Sequence, residues 1–124
     1  MAKRILIVDD EPNIVLMVGS RLKANGYEIL SAHDGMAGYD LAQKEKPDLI
    51  ILDLMLPKID GYKVCGLLKK DTRYSKIPII MFTAKAQEED VALGKEMGAD
   101  DYMMKPFKPD ILLAKIQELI GPAA

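Results

Sequence analysis

An open, doubly wound α/β fold, with five parallel strands and helices on both faces, is what this 124-residue sequence predicts. Three observations carry that reading. Short apolar runs alternate with amphipathic stretches along the whole chain, and right-handed crossovers leave such an alternation no other economical packing. Three of the runs, Ile5 to Val8, Leu49 to Leu52 and Ile77 to Phe82, are apolar almost throughout rather than at every second residue, as strands covered on both faces are. Four runs stop at residues able to handle phosphate or metal: ILIV at Asp9 and Asp10, LIIL at Asp53, IIMF at Thr83 and YMM at Lys105.

Each element has its own signal. After the first strand, Glu11 and Pro12 open a helix whose Ile14, Val18 and Leu22 recur every four residues, and Gly26 closes it. Tyr27 to Ala32 mixes polar and apolar residues, which suits a strand at the sheet edge. Asp34 is placed to cap a second helix carrying Met36, Ala37 and Leu41, which Pro47 stops. The third strand leads through a loop with Pro57 and Gly61 into a helix ending near Lys70. The fourth strand precedes a polar helix to about Met97, then Gly98 and a short strand from Tyr102 to Met104. A last helix places Leu112, Ile116 and Leu119 on one face before Gly121 and Pro122. Because the first, third and fourth strands are the most apolar, they belong at the centre. That favours the flavodoxin-like (βα)5 order 2-1-3-4-5, with the switch point between strands one and three.

Length and composition narrow the function. The chain has the size of one domain, residues 1–124, and its 49% hydrophobic and 29% charged residues are those of a globular protein. A net charge of −2 with no long Lys/Arg cluster argues against direct nucleic-acid binding. The start MAKRILIVDD reaches acid too soon for a signal peptide, and no run approaches a membrane span, so the expected compartment is the cytoplasm. Cys65 has no Cys or His at ligand spacing and reads as a partly buried apolar residue.

The strand ends carry the chemistry. In the predicted order, the carboxyl ends bring Asp9, Asp10, Asp53, Thr83 and Lys105 into one cleft, where open α/β sheets bind ligands. Three carboxylates there repel one another, and one would be driven toward protonation without compensation. Mg²⁺, or Mn²⁺ in its place, suits the cleft, being hard, oxygen-seeking and a common companion of phosphate. Formal charge then balances: three minus from the aspartates against two plus from the metal and one from Lys105.

These residues make the chain recognisable. It resembles the receiver domain of two-component response regulators from about Lys3 to Leu119, through VDDEP after the first strand, LDLMLPKIDG around Asp53, FTA at Thr83 and Ala84, and GADDYMMKPF around Lys105. The spacings fit as well, Thr83 lying thirty and Lys105 fifty-two residues beyond Asp53.

The resemblance implies a phosphoacceptor switch that catalyses only its own phosphorylation and dephosphorylation. Asp53 would accept a phosphoryl group from a phosphohistidine on a histidine kinase or histidine phosphotransfer protein. Asp10, Asp53 and the Met55 backbone carbonyl would ligate Mg²⁺ directly, and Asp9 mainly through water. Lys105 and Thr83 would each reach a phosphoryl oxygen. Pro106 would follow Lys105 in a cis peptide bond, and Pro57 and Gly61 would shape the loop after Asp53. Thr83 and Tyr102 would be the switch residues, changing an output face made of the fourth helix, fifth strand and fifth helix, roughly residues 86–97 and 100–120. Met55 and Lys85 stand at positions that tune phosphoryl lifetime; neither is an obvious water activator, which predicts slow self-dephosphorylation.

Other readings compete less well. A haloacid dehalogenase-type phosphatase expects a second Asp where Met55 stands, and a flavodoxin-like cofactor site expects a Ser/Thr/Gly-rich first loop rather than VDDEP. No GxGxxG follows the first strand. His33, the sole histidine, matches no donor motif, so the phosphodonor is expected on another protein. The expected downstream partner is a protein target or an output domain. The chain is read as either a free-standing receiver or one cut from a longer regulator, a monomer for which phosphorylation-driven dimerisation stays open.

Overall fold

The runs with the fewest polar residues form the middle of the sheet. In the computed structural model, which describes residues 2–84, 88–106 and 108–124 (residues 88–91 as backbone only), the strands are β1 (Arg4–Val8), β2 (Glu28–Ala32), β3 (Leu49–Asp53), β4 (Ile79–Thr83) and β5 (Asp101–Met104). They pair in the order β2-β1-β3-β4-β5, each pairing parallel, as the sequence predicts. All five residues of β3 and of β4 are buried, whereas β2 and β5 at the edges are only partly so.

Five helices follow the strands in turn: α1 (Pro12–Ala24), α2 (Gly35–Glu45), α3 (Gly61–Lys70), α4 (Glu88–Glu96) and α5 (Pro109–Ile120). Strand residues alternate between two cores, because successive side chains point to opposite faces. Ile5, Ile7, Leu49 and Ile51 pack with Val18 and Leu22 of α1 and with Leu112 and Ile116 of α5. Leu6, Val8, Ile50 and Leu52 pack on the other face with Ala42 of α2 and with Val64, Cys65 and Leu68 of α3. Among the described residues no helix is long and apolar enough to cross a membrane.

The helix starts follow capping chemistry. The Asp34 side chain accepts a hydrogen bond from the Ala37 N–H at 2.7 Å, and Asp60 accepts one from Lys63 N–H at 2.9 Å. Each satisfies a backbone donor that the first helical turn leaves unpaired.

Three details differ from the sequence reading. The face that α2 buries is Gly35, Gly38 and Ala42, while Met36 and Ala37 are exposed. The helix lies so close to the sheet that a Cβ on Gly38 would stand 2.7 Å from a Val8 methyl carbon, so size rather than hydrophobicity selects that face. β4 starts at Ile79 rather than Ile77: Ile77 N–H bonds to Tyr74 O in a turn, and Pro78 has no N–H to give the ladder. Cys65 is wholly rather than partly buried, and burial pushes its thiol up to about 11.

Candidate functional site

Parallel register brings the strand ends level. Val8 pairs with Leu52, so Asp9 and Asp53 emerge side by side, and Asp53 pairs with Phe82, which puts Thr83 one step further on the neighbouring strand. Thr83 in turn pairs with Met104, and Lys105 N–H donates to Thr83 O at 2.8 Å. Asp9, Asp10, Asp53, Thr83 and Lys105 thus share the carboxyl edge of the sheet by construction.

The carboxylates converge. Asp9 and Asp53 are buried and Asp10 is exposed, and one oxygen from each lies within 4.8 Å of the others. Lys105 reaches in from β5: its Nζ lies 3.0 Å from Asp9 Oδ2, 3.3 Å from Glu11 Oε1 and 3.4 Å from Asp53 Oδ2. The ammonium also stands 5.7 Å from the centre of the Phe82 ring. Backbone donors also meet these carboxylates, with Glu11 N–H to Asp9 Oδ1 at 2.9 Å and Met55 N–H to Asp53 Oδ1 at 3.3 Å.

Electrostatics in this cleft remain strained. Burial, together with the Asp9 charge, pushes the Asp53 carboxyl up to about 6, against the opposing pull of Lys105 and the Met55 N–H. Burial alone would lower Lys105, but Asp9, Asp53 and Glu11 together hold its ammonium above the ordinary lysine range. Asp9 Oδ2 is buried and contacts Lys105 as an ion pair, yet among the described residues no donor is aligned for a hydrogen bond to it.

That oxygen supplies the test of fit for a cation. Mg²⁺ holds oxygen ligands at about 2.1 Å, so opposite ligands stand about 4.2 Å apart. Three carboxylate oxygens within 4.8 Å of one another are close to that span and of the right chemistry, and Asp9 among their owners has a buried oxygen with no aligned donor among the described residues. The residues fit a divalent ion.

The loop after β3 is shaped by its glycine. A Cβ on Gly61 would stand 2.2 Å from the backbone oxygen of Asp53, while Gly61 N–H bonds to Leu54 O at 3.0 Å. Gly61→Ala is therefore expected to lower stability by about 2–4 kcal/mol, since the atom to be displaced is backbone. Urea unfolding at pH 7 measures it, and a loss below about 0.5 kcal/mol contradicts the packing described. Pro57 is exposed, and its carbonyl accepts from Gly35 and Ile59 N–H, tying the loop to the start of α2.

The remaining sequence candidates fall around this cleft. The Lys105–Pro106 peptide is cis, as expected. Ala84 is exposed directly after Thr83. Tyr102 is half-buried on β5, and a Cβ on Gly94 of α4 would stand 3.6 Å from its ring, so this side chain lies between strand and helix rather than among the carboxylates. Lys85 and Ala86 lie outside the described residues. His33 is exposed, with Nδ1 3.4 Å from Asp9 O. Sequence reasoning passed over Glu11 as a site residue, although its place in VDDEP, one step beyond the acidic pair, was the available signal.

Comparison with known proteins agrees with this arrangement. The family model described as the response regulator receiver domain matches residues 5–117. The alkaline phosphatase synthesis transcriptional regulatory protein PhoP of Bacillus subtilis is 48% identical over 122 residues, covering 97% of this chain and 49% of that protein. The DNA-binding dual master transcriptional regulator RpaA of Synechocystis is 47% identical, covering 94% and 48%. The chain spans about half the length of the curated relatives it matches. Among solved structures, the chemotaxis protein CheY4 of Vibrio cholerae superimposes with a TM-score of 0.90 at 34% identity, covering 96% of this chain and 99% of that one. The BeF3-activated N-terminal receiver domain of Klebsiella pneumoniae RstA gives 0.88 at 30% identity, covering 95% and 98%.

Proposed function

From the premise that this chain belongs to the response regulator receiver domain family, we propose that it is a phosphorylation switch whose acceptor is Asp53. The observation that carries this reading is Lys105 Nζ at 3.4 Å from Asp53 Oδ2, in the same cleft as Asp9 and Asp10. The donor is a phosphohistidine on a histidine kinase or phosphotransfer protein. An Asp53 oxygen supplies the electron pair of the new P–O bond as the P–N bond breaks. The leaving nitrogen keeps its pair and, with the ring protonated on its other nitrogen, departs as neutral imidazole.

Phosphoryl transfer needs little covalent work from a protein beyond an in-line nucleophile and stabilisation of charge on the equatorial oxygens. Asp9, Asp10, Asp53 and the Met55 carbonyl would hold Mg²⁺, which supplies charge neutralisation for the incoming phosphoryl group when bound. Lys105 turns its ammonium onto one phosphoryl oxygen, and the Thr83 hydroxyl donates to another. Pro57, Gly61 and Pro106 hold the surrounding loops, and Ala84 keeps a small side chain next to Thr83.

The output change follows from those new bonds. Thr83 moves toward the phosphoryl group, Tyr102 takes the space released, and α4, β5 and α5 present a different surface to a downstream protein or output domain. Charge-assisted hydrogen bonds contribute about 1.5–3 kcal/mol each. Two or three therefore reach the roughly 5.5 kcal/mol that inverts a 1:99 equilibrium. We extend the receiver reading to residues 1–124.

The test is intact mass after incubation with a small acyl phosphate donor. The protein with Mg²⁺ gains one phosphoryl group, whereas Asp53→Asn, or the parent in chelator, gains none. With Met55 lacking a proton-accepting group, the modified protein should persist for minutes or longer; decay within seconds contradicts the assignment of Met55 as inert toward water.

A further inference from the structure

The helix that follows β1 begins in an unusual way. Glu11 occupies the N-cap of α1, a position that favours Ser, Thr, Asp or Asn because a short side chain folds back onto the helix's own N–H groups. Glu11 makes no such side-chain bond. Its carboxylate instead crosses to Lys105, 94 residues away in sequence, with Oε1 3.3 Å from Nζ. It does so from the rim: the Glu11 side chain is 61% exposed, against 12% for Lys105, and Glu11 is not one of the three clustered carboxylates.

An ammonium has three donors and no more. In the unmodified protein the ammonium donates to Glu11 and Asp53 and stands 3.0 Å from Asp9 Oδ2 as an ion pair, so carboxylates surround it. A phosphoryl group arriving on Asp53 brings new acceptor oxygens that compete for the same donors. Asp9 and Asp53 are buried and fixed at their strand ends, so the partner that yields is the exposed one.

We propose that Glu11 is a positioning residue that holds the Lys105 ammonium at the rim of the cleft and must release it before Lys105 engages a phosphoryl group. The inference rests on the reading of Asp53 as phosphoacceptor and deepens it. It makes Glu11 a brake on the modified state, one that acts through a contact with Lys105 rather than through its charge alone. The step involves no covalent change: one ion pair opens and another forms.

Two substitutions separate contact from charge. Glu11→Gln removes the charge, and Glu11→Asp keeps it but shortens the side chain and gives the helix a residue that prefers to cap its own N–H groups. The probe is beryllofluoride, a phosphoryl mimic, titrated in saturating MgCl₂, with the unfolding midpoint measured in parallel. Both variants are expected to bind it more tightly, by about 2- to 10-fold, the worth of one hydrogen bond to a partly exposed group. A merely structural role would shift the midpoint and leave binding unchanged or weaker. Unchanged affinity in both variants overturns the proposal, as does tightening in only one of them. If the parent itself fails to bind beryllofluoride with Mg²⁺, the reading of Asp53 falls and this inference with it. Parent binding with unaltered variants removes only the role of Glu11.

Discussion

Asp53→Asn should stabilise the magnesium-free protein at pH 8, by about 1–3 kcal/mol, although it deletes the residue at the centre of the site. Burial and the neighbouring Asp9 charge hold the Asp53 carboxyl near 6 in the folded chain, against an ordinary value of 3.8. Between those values the folded state keeps a proton that the unfolded state has released. Stability therefore falls as pH rises through this window, and the cost is complete above about pH 6 and absent below about pH 4. Raising the carboxyl from 3.8 to about 6 corresponds to about 3 kcal/mol at most. Asparagine removes the charge while retaining an oxygen for the Met55 N–H, so its advantage should grow from pH 4 to pH 6 and then level off. Urea unfolding of both proteins in chelator, at pH 4.5 and pH 8, measures the difference of differences. A variant less stable than the parent at pH 8 would show that Lys105 already neutralises the cleft. Added Mg²⁺ should reverse the order, because a ligand of the folded state stabilises only the protein that binds it well.

Lys105→Met should act in the opposite direction and more strongly. The ammonium is the one cation among the described side chains contacting these carboxylates, at 3.0 Å from Asp9 and 3.4 Å from Asp53. Removing it leaves two buried aspartates facing each other, and breaking a buried pair on one side costs about 3–5 kcal/mol. Protonation of Asp53 relieves part of that repulsion, so the loss should be larger at pH 8 than at pH 5. It should also shrink when Asp53→Asn is already present, a coupling read from a double-mutant cycle. A loss that is equal at both pH values and in both backgrounds would mean that Lys105 supports the fold through its alkyl chain rather than its charge. Phosphoryl uptake by Lys105→Met should also fall sharply, since no other cation among the described side chains contacts Asp53.

How much of this was legible in the sequence depended on the kind of force involved. Burial on both faces makes a strand apolar at every residue, so β1, β3 and β4 announced themselves, and their central place set the sheet order. The cleft was legible for a related reason. Asp9, Asp53, Thr83 and Lys105 each stand where an apolar run breaks off, and parallel pairing converts that shared position into proximity. Sequence reading was weakest where shape decides. The buried face of α2 consists of Gly35, Gly38 and Ala42 because Val8 and the Ile59 carbonyl leave no room for more, and hydrophobicity pointed to Met36 and Ala37 instead. Glu11 went unnoticed because its partner is distant in sequence, and only the fold brings Lys105 to it. The start of β4 slipped by two residues because Ile77 and Ile79 look alike, while hydrogen bonding separates a turn from a ladder.

The central claim is that one carboxylate, Asp53, takes up the phosphoryl group. Its most direct test is to phosphorylate the protein with Mg²⁺ and a small acyl phosphate, reduce it with borohydride, and map the peptides by mass. Reduction converts an aspartyl phosphate to homoserine, and the account predicts that residue at position 53 alone. Homoserine at position 9 or 10, or none in a protein that has gained phosphate mass, would contradict it.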